Sequence, residues 1–374
     1  MKVRNDALLL ELMRAGGVAA LVALSMENVF YLSGALFALQ DNIRERLAAG
    51  VVLADGSDFL VCATNEASSI ERVTHVARLE TYVEFERSPI ESLAQALDAR
   101  GLSRARIAIE KRYLAATFFE ELAARLPGAS LVAGDDLLEL ARAIKTPAHI
   151  DLIAAAGRAT ERALIEACAR VRPGDSERDL ASAIHSAMFD AGAQVVRHAV
   201  VTAGDNARNA HPFPSPTQAL AQGDIVRMDI GGLFDGYGSD IARMAIVGEP
   251  SRAQAEVYGK VRGCVRSIGP RMKAGMRACD VYAMAVDFYA RAGVADYRRD
   301  HVGHSLSILG GHDNPMLHSA NQMALASGMA IALEPILRDA EGRRYTVEDS
   351  FVIGETGALL LTDVTDTSEM IAIA

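Results

Sequence analysis

The chain has 374 residues, with 38 Lys and Arg against 48 Asp and Glu, which gives a formal net charge of −10. This length predicts two domains at about 150 residues each and is ample to bury a core without disulfides. An acidic chain without a basic block is poorly suited to phosphate backbones or anionic membranes. We therefore expect a small or neutral partner, no nucleic acid and no membrane.

The cysteines and the N-terminal residues predict a reduced, cytoplasmic protein. No two of the four cysteines form a C-x-x-C pair, so neither a disulfide framework nor a thiolate zinc site is expected. Asp6 and Glu11 interrupt the apolar N-terminal segment, which argues against a signal peptide. The best apolar stretch, residues 16–32, contains Glu27 and Asn28, so we expect no membrane-spanning helix.

The N-terminal part alternates between strand and helix patterns, which is typical of a compact α/β domain. Asp55-Gly56 is a hairpin turn signal between two apolar runs. The predicted strands are residues 18–24, 50–54, 59–62, 80–85 and 106–110, and the predicted helices are residues 5–14, 66–75, 88–100, 115–126 and 135–144.

A helix break near residue 145 marks the expected domain boundary. Thr146 is an N-cap residue type, and Pro147 fits the first position of a helix. One helix therefore ends here and a long one begins. We predict an α/β domain over residues 1–145 and a second domain over residues 146–374.

The second domain is expected to be α+β with an antiparallel sheet, because strand-like runs dominate after residue 195. Residues 231–238 form a glycine-rich turn between two of these runs. The predicted helices are residues 148–171, 176–191, 254–271 and 280–292, and the predicted strands are residues 195–203, 224–231, 239–247, 302–309, 329–337 and 350–353.

Two aspartates flank the glycine-rich turn. Asp229 and Asp240 lie 11 positions apart, near the end of one predicted strand and the start of the next. A hairpin can bring both carboxylates to one face. Asp229 lies within the apolar run 225–230, and Glu334 within the run 331–336. A carboxylate inside such a run is costly to bury unless it is paired or binds a metal ion.

Five residues of the second domain form a candidate metal centre: Asp229, Asp240, His304, Glu334 and Glu348. Four carboxylates and one imidazole suit Mn²⁺, Co²⁺, Fe²⁺ or Zn²⁺. Two divalent ions are expected, because four carboxylates offset most of a charge of +4. Taken singly, each acidic residue is more typical of a cap or a salt bridge, so the inference depends on the combination.

This combination resembles the signature of the creatinase, prolidase and methionine aminopeptidase superfamily, which has the pita-bread fold. Methionine aminopeptidases lack an N-terminal domain like this one, so the resemblance points to the two-domain prolidase and creatinase branch. The segments that carry the resemblance are residues 27–34, 144–147, 203–206 with His211, 223–231, 236–243, Gly303-His304, Glu334-Pro335 and Glu348-Asp349.

The resemblance implies a role for each matching residue. Asp229 would bind one ion, and Asp240 and Glu348 would bridge both ions. His304 and Glu334 would complete the coordination of the second ion. A bridging water would be the nucleophile.

The same resemblance implies the proton transfers and the assembly. Glu334 would act as general base and proton shuttle. His211 and His312 would hydrogen-bond to the carbonyl oxygen and to the tetrahedral intermediate. A homodimer is expected.

Three departures from the family pattern bear on the substrate. Ser305 and Leu306 follow His304, where Xaa-Pro peptidases have Gly and Ile. His312 lies one residue further from His304 than the family's second histidine does. Thr346 stands where peptidases usually carry an arginine that holds the substrate.

The position of Thr346 affects the capture of a terminal carboxylate, for which a guanidinium is the best partner. Arg343 and Arg344 are close in sequence and are the candidates to replace the missing arginine. We expect weak Xaa-Pro dipeptidase activity at best, or aminopeptidase activity on longer chains.

We predict a dinuclear metal hydrolase resembling Xaa-Pro dipeptidase or aminopeptidase, which cleaves the bond before proline. Gly303-His304-Ser305 also resembles the creatinase end of the superfamily. The alternative is a creatinase-like, ectoine-hydrolase-like or dimethylsulfoniopropionate-lyase-like enzyme acting on a small non-peptide substrate. A non-catalytic binding protein of the same fold is the third hypothesis, which the five intact ligands disfavour.

The remaining motifs favour structural roles. Gly231, Gly236 and Gly238 do not form G-x-G-x-x-G before a helix, so they predict a turn rather than a nucleotide loop. His301 lies three residues before His304 without an H-E-x-x-H pattern, and is either a neighbour of the site or exposed. The histidines expected to be structural or solvated are His75, His149, His185, His198 and His318.

Overall fold

The structure is a computed structural model that describes residues 4–40, 42–43, 45–306 and 308–374. The chain divides into two compact units, Met1–Arg142 and Ala143–Ala374. Each unit contains its own cluster of buried apolar side chains. In the described part of the chain, no helix is both long enough and apolar enough to cross a membrane.

The first unit is built on a mixed six-stranded sheet of order β4-β3-β2-β1-β5-β6. Strands β1 to β3 pair antiparallel, whereas β5 runs parallel to β1 and β6 parallel to β5. Its elements are α1 (Asp6–Ala15), β1 (Ala20–Ala23), α2 (Met26–Ser33), β2 (Ala49–Leu53), β3 (Asp58–Ala63), α3 (Thr64–Ile70), β4 (Leu79–Tyr82), α4 (Pro89–Asp98), β5 (Arg106–Ile109), α5 (Ala116–Arg125), β6 (Ser130–Ala133) and α6 (Asp135–Ala143).

A buried carboxylate anchors α2, a helix that the sequence patterns did not predict. Ser25 caps this helix, its side chain accepting a hydrogen bond from the Asn28 backbone. Glu110 is buried and accepts hydrogen bonds from the Leu24 backbone and the Asn28 side chain, both at 2.7 Å. Buried carboxylates require such donors. The hydrogen bond from Asn28 to Glu110 therefore explains why a polar residue lies within the apolar stretch of residues 16–32.

The second unit contains four long helices and two larger sheets. Its helices are α7 (Pro147–Arg170), α8 (Glu177–Asp190), α9 (Arg252–Ile268) and α10 (Ala278–Arg291). Its strands are β7 (Val195–Ala203), β8 (Ile225–Phe234), β9 (Tyr237–Gly238), β10 (Ile241–Val247), β11 (Gly303–Leu306), β12 (His312–Asp313), β13 (Ala330–Leu333), β14 (Ile336–Arg338), β15 (Arg344–Thr346), β16 (Asp349–Ile353), β17 (Ala358–Leu360) and β18 (Ile371–Ile373).

The sheets of the second unit are predominantly antiparallel, as the sequence predicted. One sheet has the order β18-β10-β8-β7, with β9 paired to β8, and the other has the order β12-β11-β13-β16-β17. Strand β18 runs parallel to β10. Strands β14 and β15 form a separate hairpin.

Strand ends position the acidic residues. Asp229 lies on β8 opposite Ala242 of β10, and Asp240 immediately precedes β10. The single strand predicted over residues 329–337 is wrong. It is divided into β13 and β14, with Glu334 and Pro335 between them, because proline has no N–H to donate to a ladder. The break places Glu334 at the end of β13.

Candidate active site

A cavity of about 550 Å³ in the second unit collects most of the predicted site residues. The predicted ligands and catalytic residues on its wall are Asp229, Asp240, Glu334, Glu348, His211 and His312. His304 is fully buried beside this wall. The structure therefore brings together the residues that the sequence singled out from distant strands.

His304 is the centre of the acidic cluster. Its Nε2 lies 3.7 Å from Asp240 Oδ2, 3.7 Å from Glu348 Oε1 and 3.9 Å from Glu334 Oε1. Its Nδ1 lies 3.1 Å from the Ser305 carbonyl oxygen. This contact leaves Nε2 directed toward the carboxylates.

Two buried polar atoms in this cluster test whether the residues fit a divalent cation. Among the described residues, neither His304 Nε2 nor Glu348 Oε1 has a hydrogen-bond partner. A buried polar atom left in that state costs about 1–3 kcal/mol. An imidazole nitrogen and several carboxylate oxygens around one space are the donors that Mn²⁺, Co²⁺ and Zn²⁺ accept, so the residues fit such an ion.

The electrostatics of the cavity also favour a bound cation. Burial raises the pKa of Glu348 well above its usual value, and the neighbouring negative charges of Asp240 and Glu334 raise it further. Burial also acts to raise the pKa of Asp229, but its contact with His198 outweighs this and holds the pKa below the usual value. A cation is therefore needed for the cluster to carry all its negative charge at neutral pH.

Glycine at 238 lets two loops approach each other at the site. A Cβ on Gly238 would lie 1.9 Å from the Gly310 backbone nitrogen. The Gly238 backbone donates a hydrogen bond of 2.6 Å to the Ile308 carbonyl oxygen. The glycine-rich segment is a turn, as predicted, and its close approach holds the loop that leads to His312 beside Asp240.

Glu334 is held by two side chains. Arg299 Nη2 donates to Glu334 Oε2 at 2.8 Å, and Arg299 Nη1 donates to the Glu334 carbonyl oxygen. His301 Nδ1 lies 3.3 Å from Glu334 Oε1. The sequence allowed His301 to be either a neighbour of the site or an exposed residue, and this contact shows that it is a neighbour of the site. No sequence pattern indicated Arg299.

The two histidines predicted to stabilise the oxyanion both line the cavity and are exposed. The ring of His312 stacks on His304 with a centroid distance of 3.7 Å and an interplanar angle of 23°. Burial lowers the pKa of His312, and its electrostatic interaction with the neighbouring His304 lowers it further. The extra residue between these histidines therefore leaves His312 in the cavity.

His198 is a site residue that the sequence analysis missed, and the expectation that it is structural or solvated is wrong. Its Nε2 lies 3.2 Å from Asp240 Oδ1 and 3.4 Å from Asp229 Oδ1. Burial opposes its protonation, but the two carboxylates outweigh burial and raise the pKa of His198 to about 10. Its position on a predicted strand that flanks the aspartate hairpin was the available signal.

Arginine side chains form a cationic side of the cavity, opposite in sign to the ligand cluster. Arg227, Arg299 and Arg344 line it. Burial lowers the pKa of Arg344, and the positive charges of Arg338 and Arg227 lower it further. Arg344 Nε donates to the Arg208 carbonyl oxygen at 3.2 Å, and no carboxylate of the described residues lies within ion-pair distance of Arg344.

The neighbours of Arg344 are engaged elsewhere. Arg343 pairs with Asp339 at 2.7 Å and with Glu341 at 3.0 Å. Thr346 is buried, and its hydroxyl donates to the Pro335 carbonyl oxygen at 3.2 Å. Of the two arginines considered from the sequence, only Arg344 therefore faces the cavity.

A buried ion network lies beside Glu348, which immediately precedes β16. Arg243 pairs with Glu161 at 2.6 Å and with Asp349 at 2.7 Å. Its Nη1 also donates to the Glu348 carbonyl oxygen at 2.6 Å. Because all three side chains are buried, loss of one partner would leave an uncompensated charge behind the cavity.

The α+β unit with its acidic cavity defines a metal-dependent hydrolase, and family models agree. Residues 151–355 match the model described as metallopeptidase family M24, and residues 7–144 match the creatinase/prolidase N-terminal domain. The chain belongs to metallopeptidase family M24. This membership confirms the resemblance inferred from the sequence and the expectation of an enzyme that hydrolyses peptides.

Known proteins are similar over nearly the whole chain. The Xaa-Pro dipeptidase of Pyrococcus horikoshii is 25% identical over 366 residues, 97% of this chain and 98% of its own length. The crystal structure of dipeptidase PepE from Mycobacterium ulcerans is 29% identical, with a TM-score of 0.82 over 98% of this chain and 96% of that one. The structure of X-Pro aminopeptidase from Thermotoga maritima has a TM-score of 0.85 at 21% identity, covering 99% of each chain. These matches confirm the predicted pita-bread fold class.

Proposed function

We propose that this protein is an Xaa-Pro dipeptidase that uses two divalent ions, Mn²⁺, Co²⁺, Zn²⁺ or Fe²⁺. The ligands would be the five residues predicted from the sequence: Asp229, Asp240, His304, Glu334 and Glu348. The observation that carries the proposal is the group of buried carboxylates around the unpartnered His304 Nε2. Four carboxylates call for more than one divalent cation to offset their charge.

The residues around the cluster supply the rest of a peptide hydrolysis. Ions bound by such residues lower the pKa of water and polarise a carbonyl group. Glu334, oriented by Arg299 at 2.8 Å, accepts a proton from the attacking water and returns it to the leaving nitrogen. His211 and His312 donate hydrogen bonds to the developing oxyanion.

Arg344 supports a dipeptidase rather than an aminopeptidase. A dipeptide presents its terminal carboxylate within the cavity, and a guanidinium binds a carboxylate through two parallel hydrogen bonds. Arg344 lines the cavity without a carboxylate partner among the described residues. We propose that it replaces the arginine absent at Thr346.

A substrate panel with each metal tests this function. Xaa-Pro dipeptides should be cleaved, whereas the same dipeptides with an amidated C-terminus and Xaa-Pro-Xaa tripeptides should be poor substrates. Turnover of creatine or ectoine without cleavage of any peptide would overturn the proposal and support a non-peptide hydrolase. Full turnover by rigorously metal-free protein would overturn the metal mechanism.

Paired arginine variants test the clamp. Arg344→Ala should raise KM for the dipeptides about tenfold or more, because a charged hydrogen bond contributes about 1.5–3 kcal/mol, and should leave amidated substrates unaffected. Arg343→Ala is the matched control, since Arg343 is engaged by Asp339 and Glu341. Equal KM values in both variants would show that Arg344 is not the clamp.

We also propose a cytoplasmic homodimer. A reducing compartment is supported by the four free cysteines, of which Cys62, Cys168 and Cys264 are buried. The homodimer is proposed from the family resemblance. Light scattering of the purified chain, whose mass is 39.9 kDa, tests it, and a monomeric mass would refute it.

A further inference from the structure

His198 lies beside the part of the proposed metal centre that His304 does not reach. His304 faces Asp240, Glu334 and Glu348, so one part of the cluster already contains an imidazole. The other part contains Asp229 and the second oxygen of Asp240. His198 Nε2 faces both of these oxygens, at 3.4 and 3.2 Å.

Both distances are longer than a strong charge-assisted hydrogen bond, and both fit atoms that share an ion. A charge-assisted N–H···O contact is about 2.7–2.9 Å long, which is shorter than either distance. Two ligand atoms at about 2.0–2.2 Å from one ion lie about 2.8–3.1 Å apart at an octahedral angle and about 3.3–3.6 Å apart at a tetrahedral angle. The donor atoms of His198, Asp229 and Asp240 all lie within 4.8 Å of one another.

The backbone around His198 is shaped to hold its ring there. His198 is opposite Gly231 in the β7–β8 ladder, directly after an irregularity between Val196 and His198. A Cβ at Gly231 would lie 2.1 Å from His198 Cε1 and 2.5 Å from Nδ1. The ring therefore occupies space that exists because residue 231 has no side chain, and both residues lie on paired strands rather than on a loop.

We propose that His198 Nε2 is a ligand of the ion bound by Asp229 and Asp240. The proposal depends on the metal centre of the proposed function and adds a sixth protein ligand to it. Each of the two ions then has one imidazole, His198 on one side and His304 on the other. Because imidazole suits Zn²⁺ whereas carboxylate ligands suit Mn²⁺, the site that includes His198 favours Zn²⁺ over Mn²⁺.

Metal binding by the full chain tests this assignment without using activity. Wild-type protein, His198→Ala, His198→Gln and the control His185→Ala are stripped of metal and titrated with Co²⁺, followed by calorimetry and visible absorption. His185 lies on α8 and does not line the cavity. We expect two ions in the wild type and the control. In His198→Ala one ion should bind unchanged and the other about tenfold or more weakly, with an altered absorption spectrum.

The Gln variant separates a ligand from a residue that only positions the aspartates. Its amide can still donate a hydrogen bond to the carboxylates but lacks the imidazole nitrogen. If His198→Gln restores wild-type affinity and spectrum, the inference is overturned. It is also overturned if His198→Ala binds both ions as the wild type does, or loses both ions equally while melting as the wild type does.

Competition between metals gives a second readout. At the site that includes His198, the wild type should prefer Zn²⁺ over Mn²⁺ about tenfold more strongly than His198→Ala does. An unchanged preference contradicts the assignment. If the wild type itself binds no second ion, or if Asp229→Ala and Glu348→Ala leave binding unaffected, the proposed metal centre fails instead. The two failures are therefore distinguishable.

Discussion

Glu334 illustrates how single side chains prepare this site. Its carboxylate has one oxygen 2.8 Å from Arg299 Nη2 and the other 3.3 Å from His301 and 3.9 Å from His304. A proton-transferring group loses efficiency when its orientation is free. The guanidinium therefore contributes to catalysis through the position that it gives to Glu334.

Arg299→Ala should lower kcat about 10–100-fold, the range seen when a residue that orients a metal-site group is removed, with little change in KM. The neighbouring substitution Arg298→Ala is the control, because Arg298 is exposed and its side chain donates to the Tyr297 carbonyl oxygen. Steady-state kinetics with an Xaa-Pro dipeptide measure the effect. An Arg299→Ala enzyme with wild-type kcat would show that Glu334 needs no such support.

His211→Ala and His312→Ala should each keep the metal content of the wild type and lower kcat by about 10²–10³, the cost of losing one oxyanion donor. Metal analysis and kinetics on the same samples separate binding from catalysis. For His312, stacked on His304 at 3.7 Å, a wild-type kcat in the Ala variant would mean that the ring only packs against its neighbour.

Two elements of the second unit meet through glycines. The β8–β10 hairpin carries both aspartates, and its glycine-rich turn touches the segment that follows β11. The contact at Gly238 leaves no room for a Cβ beside Gly310. This contact therefore fixes the position of the loop that leads to His312 relative to the hairpin.

Gly238→Ala should displace that loop and reduce activity by about tenfold or more, because small misplacements at a catalytic site are costly. Gly259→Ala is the control: Gly259 lies in α9, and a Cβ there would meet nothing within 4 Å. It should be neutral or stabilise the helix by up to about 1 kcal/mol. Kinetics and thermal unfolding of the two variants check this, and equal activities would refute the role of the close contact.

The stability of the second unit is linked to the proposed ions through its buried charges. Glu348, Asp349, Glu161 and Arg243 are all buried, and the pair Arg243–Asp349 lies directly behind Glu348. Repulsion among the carboxylates of the cavity opposes folding until a cation offsets it.

Metal removal should therefore lower Tm as well as abolish activity, and Mn²⁺, Co²⁺ or Zn²⁺ should restore both. Stabilisation of about 2.7 kcal/mol is expected when the free metal is at 100 times Kd. Glu348→Gln should unfold at a higher temperature than wild type when both are metal-free, and should gain less from added metal. Calorimetric scans with and without chelator measure this. A wild-type Tm that is insensitive to metal would contradict it.

Much of the local structure was predictable because its signals lie close together in the sequence. Thr146 and Pro147 begin α7 as expected, with the Thr146 side chain accepting a hydrogen bond from the His149 backbone. The hairpin around Asp55-Gly56 joins β2 and β3. Caps, turns and alternation act over a few residues, so they can be read without knowing the fold.

The five predicted ligands could be chosen from the sequence because their combination resembles a family signature, and because an unpaired carboxylate on or beside an apolar strand needs an explanation. Nothing local distinguishes His198 or Arg299 from ordinary polar residues, and the sequence left Arg343 and Arg344 as alternatives. His198 reaches the site through the register of β7 on β8, Arg299 through the irregular segment before β11, and Arg344 through the β14–β15 hairpin. Strand pairing between distant segments set these positions, so only the tertiary structure could bring these residues into the cavity.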